Sequence, residues 1–195
     1  MTTQEKNGIT EGVIWKQLLI FFFPILVGSF FQQLYNTVDS VIVGQFVGKE
    51  ALSSVGGSAG QIISLVVGFF TGVSTGATVI ISQYFGAGKK EEIEESLHTA
   101  YAFALVGGLV LGIAGIVFAP QMLRWMNTPE ELIAESVLYV RVYFSGLIFI
   151  FIYNMGAAIL RAVGDSKRPL YYLIVCSVVN IILDLLLILV IPLGV

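Results

Sequence analysis

Gln32, Tyr35, Asn36 and Asp39 stand at i, i+3, i+4 and i+7, the spacing that places four polar side chains on one face of a helix. Asp39 is the sole charged residue between Lys16 and Lys49, and the segment around it is apolar, with Leu26, Val27, Phe30 and Phe31 on the preceding turns. A helix through this segment carries the carboxylate into a membrane. A charge at bilayer depth costs a few kcal/mol, roughly 2.5–3.5 on insertion scales, and such residues face a wet cavity or a partner. A second polar face lies near the end of the chain, where Asn180 and Asp184 are four residues apart and Cys176 is one turn earlier. Asp184 precedes Pro192 by eight residues and Asp39 precedes Lys49 by ten. At about 1.5 Å per residue, both carboxylates sit about 12–15 Å below the same membrane surface.

Two intramembrane carboxylates at one depth, on different helices, can share a cavity. Desolvation and a like-charged neighbour both favour the protonated form. Such a pair holds a proton while closed and releases it when opened to water. Asn180 has both an amide donor and a carbonyl acceptor and accommodates either state. The same oxygens suit Na⁺ equally, so the spacing leaves H⁺ and Na⁺ open as coupling ions. A membrane potential supplies about 2.3 kcal/mol per charge per 100 mV for driving export.

The elements that must position these residues follow from composition. Of 195 residues, 56% are hydrophobic and 12% charged, about half the charge density of soluble domains. Mean hydropathy is +0.90. The charges are segregated, with acids gathered at Glu91, Glu92, Glu94 and Glu95 and again at Glu130, Glu131 and Glu135. The single cysteine excludes an internal disulfide and a cysteine-based metal site. With no metal-ligand cluster, no Ser/His/Asp set and no phosphate loop, an enzyme and a nucleic-acid partner are both disfavoured. No cofactor is expected beyond the coupling ion.

The reading is all-α: a bundle of five transmembrane helices over about 14–46, 52–86, 99–122, 131–160 and 170–190, forming one membrane domain over 1–195. Pro24 lies inside the first helix, where a missing N–H bends the chain or frees a carbonyl. Residues 51–88 contain no charge and read as one helix; Gly68, Gly72 and Gly76 form a small-residue face suited to helix packing. Gly108, Gly112 and Gly115 do the same in the third helix. Lys89–Leu97 reads as a charged loop, His98 as an interfacial residue, Asn127–Glu130 as a helix cap, and Arg161–Pro169 as a basic loop. Arg141 is placed to snorkel to the interface. With the N-terminus inside, Lys6, Lys16, Lys89, Lys90, Arg161, Lys167 and Arg168 are cytoplasmic, while Lys49 and Arg124, with Arg141 nearby, are outside. This arrangement follows the positive-inside rule and puts the C-terminus outside.

The chain resembles the N-terminal half of a multidrug and toxic compound extrusion (MATE) transporter. The residues that carry the likeness are Tyr35-Asn36-Thr37-Val38-Asp39, Val43-Gly44-Gln45-Phe46-Val47-Gly48, Ser82-Gln83-Tyr84-Phe85-Gly86-Ala87-Gly88, Leu160-Arg161-Ala162-Val163-Gly164-Asp165-Ser166 with Pro169, and Asn180 with Asp184. The resemblance implies an antiporter of two six-helix lobes around a central cavity. Asp39, Asn180 and Asp184 match the family's N-lobe proton or cation site, Pro24 matches the proline where the first helix bends, and Gln32, Tyr35 and Asn36 are cavity-lining candidates. The implied function is H⁺- or Na⁺-coupled export of amphipathic, cationic drugs across a bacterial-type cell membrane. The chain lacks a sixth helix and the C-lobe, so the expectation is a fragment completed by that lobe or by a second copy. A fragment with no transport of its own is one alternative. A flippase for lipid-linked sugars is another, which needs basic residues for pyrophosphate and has Arg141 as its candidate.

Overall fold

The computed structural model describes residues 13–42, 44–45, 53 and 55–189, with the side chains of 184, 185 and 187–189 outside the description. Among the described residues six helices follow one another: α1 (Ile14–Ile42), α2 (Ser58–Gly86), α3 (Lys90–Trp125), α4 (Glu130–Ser145), α5 (Leu147–Ala162) and α6 (Lys167–Leu189). The first three are each long and apolar enough to cross a membrane; α4 and α5 form a fourth such element, bent by 49°. α6 adds 23 helical residues. The expected extensions of the first helix to 46 and of the last to 190, and the start of the second at 52, fall outside the described residues.

Three differences from the sequence reading have local causes. The expected fourth helix is broken between Ser145 and Gly146, a residue pair that commonly kinks helices. Ser145 turns its hydroxyl to the Val142 carbonyl at 2.6 Å, and the Gly146 N–H bonds the Tyr143 carbonyl in a tightened turn. The Lys89–Leu97 stretch is helical from Lys90 onward, continuous with the span that follows. Glu91 and Glu92 stand in its first turn, where acids complement the helix dipole. The Glu92 backbone N–H, and then the Lys89 ammonium, hold the exposed Glu92 carboxyl below its ordinary range. Asn127 does not cap α4. It ends α3 in the left-handed region (φ 54°), and Pro129 starts α4 with no side-chain cap.

The inter-helix turns explain two of the motifs. Gly88 (φ 70°) lets the Lys89 N–H reach back to the Tyr84 carbonyl. Gly164 (φ 91°) lets the Asp165 N–H reach the Leu160 carbonyl. The Asp165 carboxylate then accepts the N–H groups of Lys167 and Arg168, both at 3.1 Å, and so caps α6.

The core lies among α2, α3 and α5. Phe70, Phe103 and Phe151 stack there, with Phe70 and Phe151 rings 3.6 Å apart and nearly parallel. α4 and α5 both lie against α3 along its glycines. A Cβ on Gly108 meets the Ile148 backbone at 2.8 Å, one on Gly112 meets the Phe144 carbonyl at 3.0 Å, and one on Gly115 overlaps the Phe144 ring. The Gly68, Gly72 and Gly76 face behaves differently: a Cβ there has nothing within 4 Å, so among the described residues this face packs against no helix. α1 packs mainly on α6, with Gly28 against Leu170 and Leu173, and α6 meets the core along a short seam on α5. A cleft therefore separates the α1–α6 pair from the α2–α3–α5 core. Outward side chains such as Val106, Leu109, Val110, Ile113 and Val117 are exposed and apolar, a surface suited to lipid.

Substitution of Gly115 or Gly108 by Val is expected to lower stability by about 1–3 kcal/mol through overpacking. Gly72→Ala should stay within about 0.5 kcal/mol. Thermal unfolding of the chain in detergent, followed by circular dichroism, distinguishes them. Equal shifts would mean that the α3 seam is not the tight one.

Candidate functional site

α1 presents its polar stripe to the cleft in part. Tyr35 and Asp39 are half-buried, whereas Gln32 and Asn36 are exposed. The Tyr35 phenol interacts with the Gln32 side chain one turn earlier and lies within electrostatic reach of Asp39 and Cys176. Asp39 is within reach of Tyr139, and Tyr35 of Tyr143 and Tyr153. The Tyr139 and Tyr143 rings sit 6.4 Å apart, one turn from each other on α4. Asp39 thus lies in a half-buried setting with the phenols of Tyr35 on α1 and Tyr139 on α4 within reach. It takes no part in the Lys89–Glu92 and Arg168–Asp165 ion pairs.

The expected trio is placed incompletely. Asn180 is half-buried on α6, one turn beyond Cys176, and its Oδ1 is buried with no partner among the described residues. An orphaned amide oxygen costs about 1–3 kcal/mol, so this acceptor is available to a proton-bearing group or a cation. The α6 face meets the α1 stripe through Cys176 and Tyr35. The Asp184 side chain lies outside the described residues. No group of three or more His, Cys, Asp or Glu able to hold a metal occurs among them. α1 runs as one helix through Pro24, which is buried.

The sequence reading missed the three phenols. Tyr139 and Tyr143 are at i and i+4 on a helix, a visible signal. Tyr153 lies beyond the Gly146 bend, fourteen residues after Tyr139 and so close to the same face by helical period. Arg141 is not in the cleft; its Nε donates to the Ile116 carbonyl of α3 at 3.2 Å. Arg161, assigned above to a loop, belongs to the last turn of α5 and lines the cleft instead. It opens onto a cavity of about 400 Å³ edged by Phe21 and Ile25 of α1, by Thr71, Ser74, Thr75, Thr78 and Ser82 of α2, and by Asn154 of α5. The cleft is therefore acidic and phenolic toward one end of the helices, and hydroxyl-rich with one guanidinium toward the other.

Cys176 is exposed and serves as a reporter of the acidic end. At pH 8.5 a cationic methanethiosulfonate should modify it about threefold faster than an anionic one of the same size, because a nearby carboxylate concentrates cations. Asp39→Asn should remove that preference. Equal rates in the parent chain would place Cys176 away from Asp39.

Comparison with known proteins bears on the family and the fold. The MatE family's sequence model matches residues 24–186. The probable multidrug resistance protein YoeA of Bacillus subtilis (strain 168) is 33% identical over 183 residues, covering 94% of this chain and 39% of YoeA. YpnP of the same organism, also a probable multidrug resistance protein, is 34% identical over 189 residues, covering 95% of this chain and 42% of YpnP. The outward-facing structure of a multidrug resistance MATE family transporter superposes with a TM-score of 0.91 at 25% identity, over 100% of this chain and 43% of that one. The chain spans about two fifths of the length of these proteins, and its all-helical arrangement is that of a MATE N-lobe. The chain belongs to the MatE family of membrane transporters.

Proposed function

We propose that this chain is the ion-coupling lobe of an efflux antiporter that exports amphipathic, cationic compounds by alternating access. The observation that carries the reading is Asp39, a half-buried carboxylate outside the Lys89–Glu92 and Arg168–Asp165 ion pairs, within reach of Tyr35 and Tyr139. A carboxylate so placed gains a proton or cation when the cleft closes around it and loses it when water enters. The phenols supply aromatic faces that attract organic cations. The orphaned Asn180 oxygen, with Asp184 one turn further along α6, supplies the rest of a coupling site for H⁺ or Na⁺. Pro24, buried inside α1 without an N–H, is the hinge at which the helix carrying Asp39 changes shape. In this reading the end bearing Lys89, Lys90, Arg161, Lys167 and Arg168 faces the cytoplasm. A second lobe, or a second copy of this chain, closes the cleft.

The test is uphill efflux of a fluorescent cation from energised vesicles containing the transporter completed by its second lobe. Asp39→Asn keeps size and hydrogen bonding but removes titration; it should insert normally and lose about tenfold or more of gradient-driven export. Asp184→Asn should behave similarly, and Glu92→Gln should do little. Running the assay with a pH gradient and then a sodium gradient identifies the ion. Intact export by Asp39→Asn under both gradients would reduce this residue to a packing element. Residues 1–195 expressed alone should insert yet confer no drug resistance, because one lobe cannot enclose the substrate. Robust resistance would instead show that two copies assemble into a working transporter.

A further inference from the structure

The cavity at the other end of the cleft carries chemistry that the coupling reading does not use. Arg161 is half-buried and lines it, and no acid shares that lining. The acid nearest in sequence, Asp165, is committed elsewhere: its oxygens cap α6 and pair with Arg168 at 3.1 Å. A half-buried guanidinium without a counter-charge is unfavourable, and one within a membrane helix bundle usually marks a ligand.

The hydroxyls sharpen this. Thr71, Thr75 and Thr78 each donate to the carbonyl four residues earlier, at 2.8, 2.9 and 2.9 Å. Their protons are used, so toward the cavity they present lone pairs. Asn154 likewise gives its Nδ2 to Ile150 at 2.9 Å and keeps its Oδ1 as an acceptor. Ser74 breaks the pattern. It is 4% exposed, lines the cavity, and its Oγ has no hydrogen-bond partner among the described residues. The cavity therefore offers one charged fork of donors, one uncommitted hydroxyl, a row of acceptors, and the apolar Phe21 and Ile25 on α1.

We propose that Arg161 and Ser74 form an anion-binding subsite, which takes a carboxylate or phosphate on an amphipathic molecule that also carries hydroxyl or amino donors. The guanidinium binds the anion with paired N–H donors, Ser74 adds a third, and the threonine and Asn154 oxygens receive the ligand's own donors. The apolar part lies against Phe21 and Ile25. A volume of about 400 Å³ holds a headgroup-sized moiety. Ile25 and Asp39 are fourteen residues apart on α1, roughly 21 Å at helical rise, so this subsite is separate from the coupling carboxylate. The proposal does not rest on the coupling reading. It is tested by binding without any gradient, so the two fail independently. The anion has two sources of the same chemistry, a soluble organic anion or the headgroup of an anionic phospholipid.

The experiment uses the full chain, purified in maltoside detergent, titrated calorimetrically with hexanoate and with hexyltrimethylammonium. The chain should bind hexanoate about tenfold more tightly than the cation, and Arg161→Gln should abolish that preference. Arg161→Lys should recover part of it, because the charge returns without the fork. Ser74→Ala should weaken hexanoate about threefold, and Glu92→Gln should change nothing. Native mass spectrometry with phosphatidylglycerol separates the sources. Arg161-dependent retention of the lipid, displacing hexanoate, assigns a headgroup; hexanoate binding unaffected by the lipid assigns a soluble anion. Should Arg161→Gln fail to purify as a folded species, the anion-over-cation preference of the parent chain and its roughly threefold reduction in Ser74→Ala decide. Equal affinity for the two probes, or hexanoate binding indifferent to both substitutions, overturns the proposal.

Discussion

The position of Phe144 against α3 governs much of what lies around it. Its ring occupies the space where a side chain on Gly115 would be, and its carbonyl stands beside Gly112. Ile148, one turn on, fills the place beside Gly108. Between these contacts the helix breaks at Ser145 and Gly146, with a turn of 49°. α4 lies along α3, and α5, still against α3 at Gly108, also stacks Phe151 on Phe70 of α2. Lipid offers no alternative partner for backbone groups, so the bend is tolerated because the freed groups at Tyr143 and Gly146 bond locally.

The consequences reach the cleft. With α4 and α5 inclined to one another, Tyr139 and Tyr143 come within reach of Asp39 and Tyr35 from one side of the bend. Tyr153, Asn154 and Arg161 enter from the other. The α1–α6 pair, held by Gly28 against Leu170 and Leu173, supplies the opposite wall. Because that pair meets the core along only a short seam, the cleft between them is a low-cost place for relative motion. The aromatic stack and the glycine seam make the core the tightly packed part, and the α1–α6 pair is the lightly attached one.

The two ends of the cleft differ in sign. Asp39 and the phenols mark one end, and Arg161 with its hydroxyl row marks the other. Low-dielectric walls strengthen such fields, so a molecule with separated charges has a preferred orientation between them. Neither Arg161 nor Asp39 is neutralised by an ion pair among the described residues, and this keeps the polarity available.

Composition and charge placement alone determined that this chain is helical, belongs in a membrane and carries Asp39 into it. Those conclusions depend on the cost of moving charge into lipid, a property of residues one at a time. The stripe from Gln32 to Asp39 and the Asn180 face were legible for the same reason, since helical period is local. The turns at Gly88 and Gly164 belong to the same class, being set by glycines with positive φ. Tertiary structure alone decided which glycine face is used. Gly68, Gly72 and Gly76 share the small-residue spacing of the α3 glycines, yet only the α3 face meets a ridge of fitting shape, the Phe144–Ile148 elbow. It also decided that Arg161 rather than Arg141 enters the cleft. Both are basic residues flanking apolar runs; twenty residues put them roughly 200° apart on one helix, but which of the two faces borders the cavity is set by packing. Packing of α4 on α3 sets Arg141 on the Ile116 carbonyl, and the face of α5 turned to α1 and α2 carries Arg161 to the cavity.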